Sequence, residues 1–279
     1  MMAYVTLLSS SSYLPGVLAL NESLKQTGTN HPMVVGISSH LSRDIQAQLV
    51  CAGMLVRIIA PSTAIPAELV HGNGHWGHTF DKIQLFDLTE FSKLVYVDSD
   101  MLILSNIDEL FDKPHMAGVA AGRLVHPDWT RLNGGLMVIV PQAGLAGKIF
   151  ATLPQALAEA KASGGSAIGD QDLINAYYPG WSSSAELEVC QGYNVFQCHL
   201  DAYIENHGYC LPDKDPSNTG RRVKIVHFIG PRKPWMNGAV IRQIIRRFRN
   251  GKSVKWEHRV FVAYKKLLDQ VGSARLQQT

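Results

Sequence analysis

Through the first hundred residues, short apolar runs alternate with stretches of helical periodicity. Residues 3–8, 33–37, 55–59 and 94–97 are runs rich in Val, Ile and Leu, the pattern of strands buried on both faces. A helical stretch runs from Pro15 toward Gln26; a proline in the first turn lacks only an N–H that has no helical partner. Ser42 is placed to cap a second helix that reaches Ala52 and closes at Gly53. Residues 80–88 read as helical. The β-α-β-α-β order predicts a parallel sheet with helices on both faces. Ligands of such sheets gather at the carboxyl ends of the strands, so chemistry is expected just after each apolar run.

The second half is less regular. Residues 118–121 and 136–140 read as further strands, inserted antiparallel, and a helix over 146–162 is interrupted or restarted at Pro154. Another helix covers 169–178, and 179–222 is loop-rich. A last strand at 224–228 precedes two basic helices, 239–249 and 254–270. The organisation expected is one catalytic domain over 1–235, with the basic helices of 236–279 packed on it or extending it.

Composition adds bounds. The 279 residues, 46% hydrophobic and 18% charged, suffice for a sizeable buried core. No run of about 18 apolar residues occurs, so no spanning helix is expected. The first residues lack a basic n-region and enter a strand pattern directly, so a signal peptide is not expected. Cys51, Cys190, Cys198 and Cys210 have no zinc-like spacing and read as buried or idle reduced thiols, which implies a cytoplasmic location.

Charge is uneven. Residues 221–279 carry fifteen Lys/Arg and two Asp/Glu, net +13, whereas residues 1–220 carry eleven and twenty-one, net −10. Arg242, Arg246 and Arg249 recur at helical spacing beside Ile241, Ile244, Ile245 and Phe248, an amphipathic basic helix suited to peripheral contact with an anionic membrane. No stacking aromatic array accompanies it, so nucleic acid is not an expected partner.

Two segments carry candidate chemistry. The apolar strand 94–97 delivers Asp98 and Asp100 at its carboxyl end, and a second apolar run follows. Neighbouring carboxylates resist ionisation together, and a hard divalent cation such as Mg²⁺ or Mn²⁺ relieves that repulsion while leaving sites for phosphate oxygens. In Val226-His227-Phe228-Ile229-Gly230-Pro231-Arg232-Lys233-Pro234-Trp235, a strand again ends at a polar side chain. The His227 imidazole can complete a metal site. Gly230 admits close backbone approach to a ligand, and Lys233 can reach a phosphate.

These motifs, with Asn106-Ile107-Asp108-Glu109-Leu110-Phe111, Asn133-Gly134-Gly135 and Gly169-Asp170-Gln171-Asp172 between them, resemble glycosyltransferase family eight in order and spacing over residues 3 to 235. The resemblance implies an α/β, single-domain, Rossmann-like GT-A fold with a mixed sheet. It implies a UDP-sugar donor (UDP-galactose or UDP-glucose favoured), Mn²⁺ or Mg²⁺, and transfer with retention to a carbohydrate, polyol or lipid-linked acceptor. By resemblance, Asp98, Asp100 and His227 would ligate the metal. Leu7, Ser9 and Tyr13 would line the uridine pocket, and Ser99 would also touch the donor. Lys82 would approach the donor sugar or phosphate, and Asn133 and Gly134 would hydrogen-bond the sugar. Asp170 and Gln171 would sit at its reacting face, and Gly230 and Lys233 would hold the diphosphate.

Three departures bear on sugar choice: the serine run before Tyr13, the glycine- and histidine-rich stretch from Gly72 to His78, and Ala167 where glycogenin-like members carry an acidic residue. The alternatives are a self-glycosylating primer protein, with Tyr203 and Tyr209 as candidate acceptors, and a nucleotide-sugar-binding protein with membrane-associating basic helices.

Overall fold

The structure, a computed structural model, describes residues 1–60, 65, 69, 77–165, 167–212, 221–236, 238, 244, 245, 247–249, 251 and 253–276. The first half follows the predicted alternation: β1 (Met2–Leu8), α1 (Leu14–Gln26), β2 (Met33–Ser38), α2 (Arg43–Cys51), β3 (Leu55–Ile59) and β4 (Lys93–Val97). After it come β5 (Met101–Ile103), β6 (Leu136–Ile139), α3 (Leu145–Phe150), α4 (Leu153–Ala162) and α5 (Asp170–Tyr177). The remaining elements are β7 (Val195–Phe196), α6 (Leu200–His207), β8 (Tyr209–Cys210), β9 (Arg221–Arg222), β10 (Ile225–His227) and α7 (Lys255–Leu276).

The main sheet has the order β3-β2-β1-β4-β6. It is parallel except at β6, which runs antiparallel to β4. Successive side chains of a strand face opposite sides. Ala3, Val5 and Leu7 accordingly pack with Phe80, Phe86, Ile149 and Leu173. Tyr4 and Leu8 pack on the other side with Val17 and Leu20 of α1 and Leu49 of α2. Both faces are covered, which is why these strands are continuous apolar runs. A second sheet has the order β5-β10-β7, with β5 antiparallel to β10. Trp256, Val260, Tyr264 and Leu267, a stripe at helical spacing on α7, pack with Ala19 of α1 and with Phe228.

Four readings need correction. The helix expected at 80–88 is a run of 3-10 turns over Gly77–Asp87, which turns Asp81 and Lys82 inward to 1% and 6% exposure. The strand expected at 118–121 is reduced to isolated bridges from Gly118 to Met137 and Glu188. Gly118 is wedged so closely that a Cβ there would lie 2.4 Å from Leu132. The stretch read as loop contains α6, β7 and β8, too short to show a period. Ser42 occupies the N-cap position of α2 but makes no side-chain capping bond.

Other expectations hold or fall partly outside the described residues. Pro154 does restart a helix, as the second residue of α4. The four cysteines are free thiols, with Cys51 and Cys190 exposed. Residues 72–76 of the glycine- and histidine-rich stretch and most of the first basic helix lie outside the described residues. No helix among the described residues is long and apolar enough to cross a membrane.

Candidate active site

Two ladders converge on the Asp98–Asp100 turn. The β4–β6 ladder continues one step past Val97, where Asp98 N donates to Gly135 O at 2.9 Å. The chain then turns, Met101 N donating to Asp98 O at 3.2 Å, and Met101 pairs with His227 in the second sheet. The turn therefore joins the two sheets and sets both aspartates against His227. One ligand atom from each of Asp98, Asp100 and His227 lies within 4.8 Å of the others. His227 Nε2 is 3.2 Å from Asp100 Oδ1 and 3.7 Å from Asp98 Oδ2.

The donor set fits a hard divalent cation. Adjacent ligands of an octahedron with 2.0–2.1 Å bonds are about 3 Å apart, close to these separations. Asn194, fully buried and without a sequence motif to mark it, sets the His227 ring. Its amide nitrogen donates to Asn133 Oδ1 at 2.8 Å, which leaves its Oδ1 facing His227 Nδ1 at 3.0 Å. An acceptor so placed receives the Nδ1 proton, so Nε2 is the ring atom turned toward the two carboxylates. Two carboxylates and an imidazole nitrogen so placed form a ligand set for a cation, and a partner that orients a ligating histidine is a usual part of such sites.

Two lysines flank the cluster. Lys233 Nζ lies 2.5 Å from Asp100 Oδ2 and also donates to Phe228 O at 3.0 Å. Lys82 Nζ lies 3.2 Å from Asp98 Oδ1 and 2.7 Å from Asp170 Oδ2, and donates to Gly134 O at 3.2 Å. Burial would deprotonate Lys82, but Asp170 and Asp98 outweigh it and hold the ammonium above its ordinary pKa. Tyr96 lies under Lys82, 4.7 Å from ring centroid to Nζ, and donates its hydroxyl to Asp98 Oδ1 at 2.6 Å. Burial first, and the Asp98 charge second, push the Tyr96 phenol well up.

Of the remaining predicted residues, Gln171 and Tyr13 contact residues of this centre. Gln171 Oε1 accepts from Gly134 N at 2.9 Å and Asn133 Nδ2 at 3.2 Å, so the start of α5 is tied to the turn before β6. Tyr13 packs edge-on against Trp235, with Lys233 Nζ 5.8 Å from its ring centroid. Trp235 Nε1 donates to Ser12 O at 2.9 Å. Gly230 has φ +91, a left-handed backbone that suits glycine. Leu7 is only 7% exposed and packs in the core, so a nucleotide would meet its backbone. Ser9 lies between β1 and the turn that carries Tyr13, and Ser99 is buried between the two aspartates. Tyr203 and Tyr209 are 0% and 4% exposed, so neither is presented as an acceptor.

A mixed α/β sheet, parallel but for one strand, with an aspartate turn at the carboxyl end of its fourth strand defines a GT-A glycosyltransferase fold. The galactosyltransferase LgtC, solved in complex with donor and acceptor sugar analogs, superposes with a TM-score of 0.66 over 97% of this chain and 96% of its own, at 16% identity. The family model "Glycosyl transferase family 8" matches residues 5–239, and the chain belongs to that family. Glycogenin-1 of Mus musculus is 29% identical over 238 residues, 84% of this chain. Inositol phosphorylceramide glucuronosyltransferase 1 of Arabidopsis thaliana is 28% identical over 242 residues, again 84% of this chain. The matches span 65% and 42% of those relatives' lengths, less than two thirds in both.

Proposed function

We propose that the protein is a metal-dependent, retaining glycosyltransferase that moves a hexosyl group from a UDP-sugar, UDP-galactose or UDP-glucose, to a carbohydrate, polyol or lipid-linked acceptor. The observation that carries this is the convergence of Asp98, Asp100 and His227 within 4.8 Å, beside the pair of buried Lys82 and partly buried Asp170. In this reading the three residues hold Mn²⁺ or Mg²⁺, which when bound supplies Lewis-acid stabilisation to a diphosphate leaving group. Lys233 adds positive charge at the phosphates, and Gly230 lets the loop backbone approach them. Leu7, Ser9, Tyr13 and Ser99 form the nucleoside side of the site.

Asn133 and Gly134 bind the donor sugar, and Lys82, Asp170 and Gln171 frame its reacting face. Retention by a covalent route uses a free carboxylate against the sugar. Asp170 is instead paired with Lys82 at 2.7 Å. We therefore assign it sugar binding and charge stabilisation. The test is a panel of UDP-sugars with Mn²⁺, scored by UDP release. One sugar is expected to turn over; failure of every UDP-sugar to bind or react with any divalent metal overturns the reading.

A peripheral membrane location is favoured by Ile245 and Phe248, which are 46% and 73% exposed in the basic C-terminal stretch. Salt-sensitive pelleting with anionic liposomes checks it. Intact-mass growth on incubation with UDP-glucose would instead indicate self-glycosylation.

A further inference from the structure

Beside the aspartate turn, four aromatic rings form a shelf that the chemistry above does not use. Consecutive turns build it: Val125 N and His126 N both donate to Gly122 O at 2.9 Å, and Trp129 N donates to His126 O at 2.9 Å. The turns stack the His126 and Trp129 rings at 4.1 Å and 23°. His199 lies 5.0 Å from His126 and 6.0 Å from Trp129. Gly122, at φ +86, presses its backbone on the indole, and a Cβ there would lie 2.7 Å from the Trp129 ring. These contacts pack part of the indole, while Trp129 remains 45% exposed. Burial, helped by His126 and Arg247, pushes the His199 imidazole down to about 4, so that ring is neutral at neutral pH.

The shelf is continuous with the candidate active site. Phe196 stands 6.3 Å from Trp129 and 5.5 Å from His227, measured between ring centroids. The segment that carries Trp129 ends four residues later at Asn133, which bonds Gln171. A packed, half-exposed indole next to a polar centre matches the anatomy of carbohydrate recognition. A pyranose ring has one face of apolar C–H groups, which an aromatic ring can cover, while its edge hydroxyls stay free to point toward the reacting centre.

Resting on the glycosyltransferase reading, we propose that Trp129 is the stacking platform of the acceptor subsite and that the acceptor presents a pyranose ring to it. His126, Phe196 and Gly122 are positioning residues that hold the indole.

The test uses the full ¹⁵N-labelled chain with UDP and Mg²⁺, titrated with methyl α- and β-glucosides, methyl α- and β-galactosides, maltose and lactose. The Trp129 indole N–H resonance is assigned by its loss in Trp129→Phe. At least one pyranoside is expected to shift that resonance saturably. Trp129→Ala should weaken the same sugar about tenfold, about 1.4 kcal/mol, with UDP affinity unchanged, and Trp129→Phe should retain most of the binding. His126→Ala, which leaves the indole in place but unsupported, should weaken the sugar less than Trp129→Ala does. The proposal is overturned if no pyranoside moves the resonance, or if Trp129→Ala lowers UDP affinity as much as sugar affinity. If a pyranoside shifts Trp129 while UDP binds with neither Mg²⁺ nor Mn²⁺, the platform stands and the nucleotide-sugar reading fails.

Discussion

Lys233 Nζ lies 2.5 Å from Asp100 Oδ2 across 133 positions of sequence, while the other oxygen of that carboxylate is 3.2 Å from His227 Nε2. Burial alone would keep Asp100 protonated, but His227 and Lys233 outweigh it and hold the carboxyl well below the usual carboxylate range. Asp100 is thus an anion kept ready for a cation. Asp100→Ala should lower Mn²⁺-dependent UDP affinity by more than about 100-fold, since changes one shell further out already cost 10–100-fold in metal sites. Calorimetry with and without Mn²⁺ measures this, and an unchanged circular dichroism spectrum shows that the fold is kept.

Lys82 bridges Asp98 and Asp170 at 6% exposure. Lys82→Met would leave two partly buried carboxylates facing each other without their counter-charge. Breaking one partner of a buried pair costs about 3 kcal/mol or more. A second change, Asp170→Asn, should recover part of that loss. Urea unfolding of the single and double variants tests the coupling, and strict additivity would contradict it.

Gly135 touches the site without offering it a side chain. A Cβ there would lie 2.8 Å from His227 Cε1 and 2.9 Å from both Asn133 Oδ1 and Met101 Cε. Gly135→Ala should therefore displace the imidazole and weaken Mn²⁺ by about tenfold or more with every ligand retained. Mn²⁺ titration followed by electron paramagnetic resonance reads this directly.

Glu257 on α7 is 1% exposed; among the described residues neither carboxylate oxygen has a hydrogen-bond partner, and Arg247 Nε is 3.3 Å away. Burial, against the pull of Arg247 and with the help of Asp201, pushes its pKa up to about 7. Between its ordinary value and about 7 the folded protein keeps a proton that the unfolded chain has lost, so this group's contribution falls as pH rises. Glu257→Gln should remove that slope and be more stable above pH 7, by up to about 3 kcal/mol. Urea stabilities of the two proteins across this range give the difference; parallel pH profiles would contradict the assignment.

What could be read from the chain was local. Residues 94–97 announce a buried strand, and the aspartates after it lie at the strand's carboxyl end wherever the strand goes. Pro154 restarts a helix because its ring and missing N–H act within one turn. The segment 80–88 reads as helical, but its tight turns are imposed by burying Lys82 between carboxylates from two other elements. Asn194 belongs to a stretch without periodicity, and only its contacts with Asn133 and His227 give it a role.

The sequence by itself determined the β-α-β-α-β order, the family motifs and which residue types stand at strand ends, since each depends on neighbours a few positions apart. Tertiary structure decided that Asp100 faces His227 and Lys233, that Lys82 is shared between Asp98 and Asp170, and that Trp129 is held open beside them. Those arrangements come from two sheets meeting at one turn and from the low-dielectric interior that strengthens charge pairing there, and neither is a property of any single segment.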